Sequence, residues 1–300
     1  MTSRKLSIVI VNFNAGMRLL DCVRSAIDQC DEIVLIDNAS TDGSMAEIRC
    51  AAFLRSNIIV VLNSRNLGFA RACNMAAAAA SGEFILFLNP DCVLLPGAVS
   101  AMRGALVSDA SVGMVGGLLL NPDGSEQAGG RRLVPTPWRS FIRAVGLQRL
   151  KGRHARIFRG YDLHLQALPE GPEEVEAISG ACMLVRKQAL EGVGMLDEAY
   201  FMHCEDLDWC MRFRQKGWQV LFVPDARVIH YKGSCSTAHP IFVEWHKHRG
   251  MVRFYRKFFR HQYPSALMAL IMLGVWLRFL AVAGRLLVHR ALHGMPRGVA

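Results

Sequence analysis

Short apolar runs alternate with stretches of helical periodicity over the first 95 residues. Leu6 to Val11, Ile33 to Ile36, Ile58 to Leu62 and Phe84 to Leu88 read as strands. The last, five residues rich in aromatic and branched side chains, fits a strand buried on both faces, stopped by Asn89 and Pro90. Between the runs, Leu19, Leu20, Val23 and Ile27 mark a helix from Met17 to Cys30, and an alanine-rich helix covers Phe69 to Ala80. Strands separated by helices predict a parallel, doubly wound sheet with right-handed crossovers. Each strand ends in polar residues, at Asn12 to Gly16, Asp37 to Gly43, Asn63 to Gly68 and Asn89 to Asp91. In an open α/β sheet such ends converge on one crevice, where ligands collect.

Further on, Ile178 to Val185 and Val220 to Val223 read as strands with a helix from Glu205 to Lys216 between them, and Glu170 to Glu176 as an acidic loop. Val228-Ile229-His230-Tyr231 places a histidine at the end of another strand-like run. The C-terminus changes character. His246 to His261 holds six Lys or Arg and no acid, with Met251, Phe254, Tyr255, Phe258 and Phe259 at helical spacing. After Pro264, Leu267 to Leu277 is apolar, but Arg278 and Arg285 divide what would otherwise be a 24-residue span from Ser265 to Val288. Arg278, Arg285 and His289 share one helical face, so the expectation is a helix lying in the membrane interface, with spanning as the alternative. The domains expected are thus 1–240, catalytic, and 241–300, for membrane association.

Three hundred residues at 52% hydrophobic content suit one large domain, or a domain with an appendage, and exclude disorder. A net charge of +10 and a pI near 9.4 call for an anionic partner. Arg131 to Gly160 carries nine of the basic residues and no acid, with Trp138, Phe141, Ile142 and Val145 on one helical stripe and Arg139, Arg143 and Arg149 off it. Two readings stand side by side: a basic amphipathic helix for a membrane surface, and a surface helix with its apolar face in the core. Basic residues beside the apolar tail favour an anionic membrane surface over nucleic acid. Nine cysteines without a C-x-x-C pair indicate a reduced cytosolic chain rather than a disulfide scaffold or zinc site. The N-terminus runs into a strand without the apolar stretch of a signal peptide, which places the catalytic part in the cytoplasm.

The candidate chemistry sits at the strand ends. The first strand-to-helix turn has neither G-x-G-x-x-G nor G-x-x-x-x-G-K-[ST], which argues against a dinucleotide dehydrogenase or P-loop NTPase. Asp37 is placed to grip a nucleotide, or else to cap the next helix. Asp91 is placed for a metal or substrate, or else belongs to a turn. Asp197 to Asp208 holds five acids in twelve residues. A helix dipole explains one or two of them, but not Glu205-Asp206 beside aromatic residues, where desolvation would make a useful base. His230 is a metal ligand or a core histidine.

The stretches SIVIVNFN, VLIDNASTDGS, NSRNLGFARACN, FLNPDC, SGACMLVRKQAL, GMLDEAYFMHCEDLDWCMRFRQKGW and VIHYKGSCS resemble the family 2 glycosyltransferases. More narrowly, they resemble the bacterial rhamnosyltransferase-like members that build cell-surface polysaccharides. The resemblance implies a GT-A fold, a mixed and mainly parallel sheet flanked by helices, with inverting transfer from a nucleoside-diphosphate sugar (dTDP- or UDP-linked) to a lipid-linked saccharide at the inner face of the cell membrane. It implies donor-binding roles for Val11, Phe13, Asp37, Asn66, Gly68, Asn89 and Asp91, with Asp37 on the pyrimidine base. Asp91 matches the last acid of the family's D-x-D motif and His230 the histidine that completes a Mg²⁺ or Mn²⁺ site. Asp206 matches the general base, beside Glu205. Asn89 stands where the motif's first Asp would be, which leaves one ligand carboxylate fewer and is the support for the alternative of a donor-binding homologue with weak or no activity. A glycoside hydrolase would use paired carboxylates but needs no nucleotide-type sheet.

Overall fold

The computed structural model describes residues 5–50, 57–144, 146, 162–233 and 239–293. Its first third alternates as the apolar runs require: β1 (Leu6–Asn12), α1 (Met17–Ala26), β2 (Glu32–Asp37), α2 (Ser44–Cys50), β3 (Ile58–Leu62), α3 (Phe69–Ala79) and β4 (Phe84–Leu88). There follow β5 (Cys92–Leu94), α4 (Ala98–Ser108), β6 (Val112–Leu120), β7 (Arg131–Arg132) and α5 (Pro137–Ala144). The rest is β8 (Glu173–Glu174), β9 (Ala177–Ile178), β10 (Cys182–Arg186), α6 (Lys187–Val193), α7 (Glu205–Gln215), β11 (Gln219–His230), α8 (Pro240–Phe259) and α9 (Ser265–His293).

The main sheet runs β3-β2-β1-β4-β10-β6-β11-β5, with β8 paired to β11. The first four strands are parallel. β10 then runs antiparallel between β4 and β6, so the sheet is mixed although mainly parallel. β1, β2 and β4 are buried along their whole length, and their inward side chains (Ile8, Ile10, Ile33, Leu35, Leu86) form one core with Leu19 and Val23 of α1 and Met102 and Leu106 of α4. β3 is the edge strand and exposes Ile59, Val60 and Leu62.

Several boundaries differ from the sequence expectation. The run from Ile178 to Val185 is two strands, because Ser179, Gly180 and Ala181 leave the ladder: Ser179 N–H donates to Gly130 O (2.9 Å) and Gly180 N–H to Asp206 Oδ2 (3.1 Å). The runs at Val220 and Val228 are one strand, which passes Pro224 at a bulge between Val223 and Arg227, where a missing N–H is tolerated. The acidic loop contributes the short strand β8. The helix expected to reach Cys30 ends at Ala26.

The chain divides into two compact units, counting described residues only. One comprises Met1–Val134, Asp162–Phe201 and Glu205–Cys235, the other Pro135–Tyr161, Met202–Cys204 and Ser236–Ala300. In the second, Ile142 of α5 is buried while Trp138 and Phe141 are exposed and stacked at 5.9 Å. Val145, and Arg149 with the following basic residues to Gly160, lie outside the described residues. α9 is long and apolar enough to cross a membrane by length and composition, and almost none of its apolar stretch is buried. It pairs with α8 through Trp245, whose ring lies 4.9 Å from Trp276 and 5.5 Å from Phe279. The eight described cysteines are free thiols, and Cys235 lies outside the described residues.

Candidate active site

Parallel pairing sets Asn12 beside Asp37 at the carboxyl ends of β1 and β2. Asp37 is buried, accepts a hydrogen bond from Asn12 Nδ2 (2.9 Å), and receives Ser40 N–H (3.2 Å). It does not cap α2: Ser44 N–H is taken by Asp42 at 3.0 Å. Val11 is buried beside it and Phe13 half-buried. The next residue, Asn38, ties the loop after β3 to this rim. Its Nδ2 donates to Asn66 Oδ1 (2.9 Å) and Gly68 O (3.3 Å), and its Oδ1 accepts from Asn63 Nδ2 and Leu67 N–H. Gly68 has φ 86°, and a Cβ there would sit 2.8 Å from the Phe201 backbone, so only glycine fits.

Ile10 pairs with Leu88, which puts the turn after β4 on the same rim. Asn89, Pro90 and Asp91 do form a turn, closed by Cys92 N–H on Asn89 O at 3.1 Å. The antiparallel pairing of β5 with β11 sets His230 opposite Cys92, and His230 Nε2 lies 3.2 Å from Asp91 Oδ1. Both residues are buried. The imidazole's tautomer follows from its other side. Gln127 Nε2 donates to the backbone carbonyl of His230 (3.1 Å) and to Asn121 Oδ1 (3.0 Å), which turns Gln127 Oε1 onto His230 Nδ1 at 2.7 Å. Nδ1 therefore carries a proton, and Nε2 is the ring nitrogen turned toward the Asp91 carboxylate.

Asp91, Cys92 and His230 place candidate ligand atoms within 4.8 Å of one another. The Cys92 thiol is pushed well above its ordinary pKa, first by burial and then by the Asp91 charge, and faces Ala181 O at 3.5 Å. The residues that could hold a divalent cation are therefore Asp91, through its carboxylate, and His230, through its imidazole.

The acids of the cluster differ in their contacts. Asp208 is fully buried between Tyr200 Oη (3.1 Å) and Arg212 Nε (2.7 Å), Glu198 accepts from Asn74 Nδ2 (3.0 Å), and Asp197 from Ala199 N–H (3.1 Å), all structural contacts. Asp206 Oδ1 receives Leu207 N–H at 2.7 Å, while Oδ2 accepts from Gly180 N–H and from the Arg132 guanidinium. Glu205 is buried with Oε2 unpartnered among the described residues, and burial, then the charge of Asp206, pushes its carboxyl up to about 8. Asp206 is thus fixed in orientation by three donors, while burial favours the protonated form of Glu205 beside it. Asn38, Gln127 and Arg132 were not singled out in the sequence. Asn38 adjoins the strand-end acid and could have been, whereas Gln127 and Arg132 arrive by long-range pairing.

A mixed, mainly parallel sheet with acids along one rim is the architecture of the GT-A glycosyltransferases, and solved members superpose on the chain. GalNAc-T7 with UDP, GalNAc and Mn²⁺ gives a TM-score of 0.62 at 19% identity, over 85% of this chain and 48% of that one. The mannosyltransferase PcManGT of Pyrobaculum calidifontis, with GDP-Man and Mn²⁺, gives 0.57 at 18% identity, over 98% and 77%. Residues 7–194 match glycosyl transferase family 2, and the chain belongs to that family. It is 30% identical over 250 residues, 78% of either chain, to the N-acetylglucosaminyl-diphospho-decaprenol L-rhamnosyltransferase of Mycobacterium tuberculosis. A shorter match, 40% identical over 57 residues (19% of this chain and 22% of the relative), is to the rhamnosyltransferase WbbL of Escherichia coli.

Proposed function

We propose that this chain is an inverting, metal-dependent transferase that moves a hexose, rhamnose foremost, from a dTDP- or UDP-linked donor to a lipid-linked saccharide during cell-surface polysaccharide synthesis. The observation that carries the reading is the Asp91–His230 pair, aligned by Gln127 at the rim that also holds Asp37. The relative's lipid-diphosphate acceptor supports the acceptor class.

In this reading Asp37, with Val11 and Phe13, holds the pyrimidine base, and the loop of Asn66 and Gly68 shapes the donor side of the crevice. Asp91 and His230 hold Mg²⁺ or Mn²⁺, which when bound neutralises the charge developing on the leaving diphosphate. Asn89 leaves the ligand set one carboxylate short, and the Nε2 of His230 supplies a donor in its place. Asp206 takes the proton from the acceptor hydroxyl as it attacks the face opposite the nucleotide, a contribution of about 10²–10⁴-fold.

The acceptor's lipid anchor calls for a membrane-facing part, and the packing of α9 supports an interfacial one. Trp245 of α8 lies against the middle of α9, so a spanning α9 would draw α8 into the hydrocarbon together with Glu244, Lys247, Arg249 and Arg253. Each Lys or Arg there costs about 2.5–3.5 kcal/mol. Lying flat, the same pair offers the exposed Leu270, Leu273, Leu277 and Leu280 to lipid. The exposed Trp138 and Phe141, beside the exposed Arg143, suit the same cytoplasmic, anionic surface.

Nucleotide release from a panel of nucleotide sugars, with and without divalent metal, tests the function. Metal-stimulated release with one pyrimidine-linked donor supports it. Donor binding without turnover would make the chain a binding homologue.

A further inference from the structure

Asp206 stands on α7, yet two of its three donors come from a two-stranded ribbon distant in the chain. β7 and β9 pair antiparallel, with Arg131 opposite Ile178 and Arg132 opposite Ala177. The pairing goes one step further: Ser179 N–H donates to Gly130 O at 2.9 Å, after which Gly180 N–H turns to Asp206 Oδ2 at 3.1 Å. Neighbouring residues on a strand face opposite ways, and the two arginines of β7 divide accordingly. Arg131, whose side chain is 2% exposed, takes both oxygens of Glu126 (2.8 and 3.2 Å) and the carbonyls of Gln166 (2.9 Å) and Ala167 (3.2 Å), which anchors the strand. Arg132 sets its guanidinium on Asp206 Oδ2, the oxygen that Gly180 also holds. Close approach accounts for the glycine: a Cβ at 180 would lie 3.3 Å from the Cβ of Asp206.

We propose that the β7–β9 ribbon is a positioning device for Asp206, with Arg132 as its acting residue: the guanidinium, backed by the Gly180 N–H, holds the carboxylate in one orientation toward the acceptor hydroxyl. The proposal rests on Asp206 acting as the base. Arg132, Gly180 and Asp206 belong to one compact unit of the chain. A charge-assisted hydrogen bond is about twice as strong as a neutral one, so Arg132 is the donor whose loss frees the carboxylate most. A base displaced by about 1 Å can lose on the order of a hundredfold in rate while substrate binding is untouched.

The test uses the full chain in lipid vesicles, with the nucleotide sugar that gives release in the panel as donor and decaprenyl-diphospho-N-acetylglucosamine as acceptor probe. Arg132→Ala should lower kcat at least tenfold, with donor and acceptor KM within twofold of the parent. Arg132→Lys, which keeps the charge, should fall between the two. Guanidinium chloride, kept below its denaturing range, should recover severalfold of the kcat lost in Arg132→Ala and raise neither the parent nor Asp206→Asn. An unchanged kcat in Arg132→Ala overturns the proposal. So does a loss that neither the lysine nor added guanidinium recovers, and so does a raised acceptor KM at unchanged kcat, which would make Arg132 a substrate contact. Should Arg132→Ala not fold, Gly180→Ala decides: a severalfold lower kcat at equal KM supports positioning, and equal kcat overturns it. Asp206→Asn in the same assay separates the two claims. Activity surviving there overturns the assignment of the base and the positioning role with it, whereas an inactive Asp206→Asn beside an unaffected Arg132→Ala overturns the positioning role alone.

Discussion

Gln127 Oε1 faces His230 Nδ1 at 2.7 Å, with the amide held in that sense by the histidine's own carbonyl. It makes Gln127 an outer partner of the proposed metal site. Such partners are worth about 10–100-fold in metal affinity, so Gln127→Leu should raise the Mn²⁺ concentration needed for half-maximal turnover by that order. Asp91→Ala should do more, because it removes charge as well as a ligand, and His230→Ala should fall between them. Metal titrations of turnover order the three variants. An unchanged requirement in His230→Ala would return that residue to the core-histidine reading.

Asp206→Asn should keep fold and donor binding and lower turnover at least about a hundredfold, since the amide cannot take a proton. Single-turnover kinetics beside nucleotide binding would check it, and near-normal turnover would move the role to another group.

Glu205→Gln separates the neighbouring carboxyl. With the folded pKa raised to about 8, the unfolded chain loses this proton near 4.5 while the folded chain keeps it, so the group costs stability increasingly as pH rises from 4.5 to 8. The glutamine copies the protonated form. Urea midpoints of the variant and parent should therefore agree near pH 4 and diverge in the variant's favour by pH 8. A variant less stable at pH 8 would show that the carboxylate form is the one the fold needs.

Glu32 titrates with the opposite sign. Burial would raise its pKa, but hydrogen bonds from the Ser7 hydroxyl, the Ser81 hydroxyl and N–H, and Lys5 bring it down to about 2. Its contribution is fully present above about 4.5 and is lost as pH falls toward 2, at most about 3 kcal/mol at 1.36 kcal/mol per unit. Glu32→Gln should be less stable at pH 7 and show a shallower loss of stability between pH 5 and 2. Parallel slopes in denaturant melts across that window would refute the assignment.

The strands at the start of the chain were legible because a buried parallel strand must be a short apolar run, and the placing of Asp37 and Asp91 at strand ends followed from them. The break at Ser179 to Ala181 had a local signal, the Ser179-Gly180 pair, that the single-strand expectation passed over, and the distant Asp206 accepts Gly180 N–H there. Arg132 was not legible. One of nine basic residues in its stretch, it reaches Asp206 through β7, whose pairing with β9 has no local signature. Of the five acids, only tertiary packing told Asp208, locked to Tyr200 and Arg212, from Asp206.

The orientation of α9 is open to a direct measurement. On the proposed interfacial reading, Trp245 packed against Trp276 and Phe279 joins α8 to α9, and the charges of α8 favour the membrane surface for the pair. A soluble donor and an acceptor diffusing in the bilayer would then meet on one face, at an effective acceptor concentration raised by anchoring. Ending the chain near Gly233 should abolish vesicle binding. A cysteine engineered beyond residue 290 should resist an impermeant maleimide in intact cells and react once the membrane is broken. Labelling from outside intact cells would show that α9 crosses the bilayer, and that the packing of Trp245 on its middle is given up when it does.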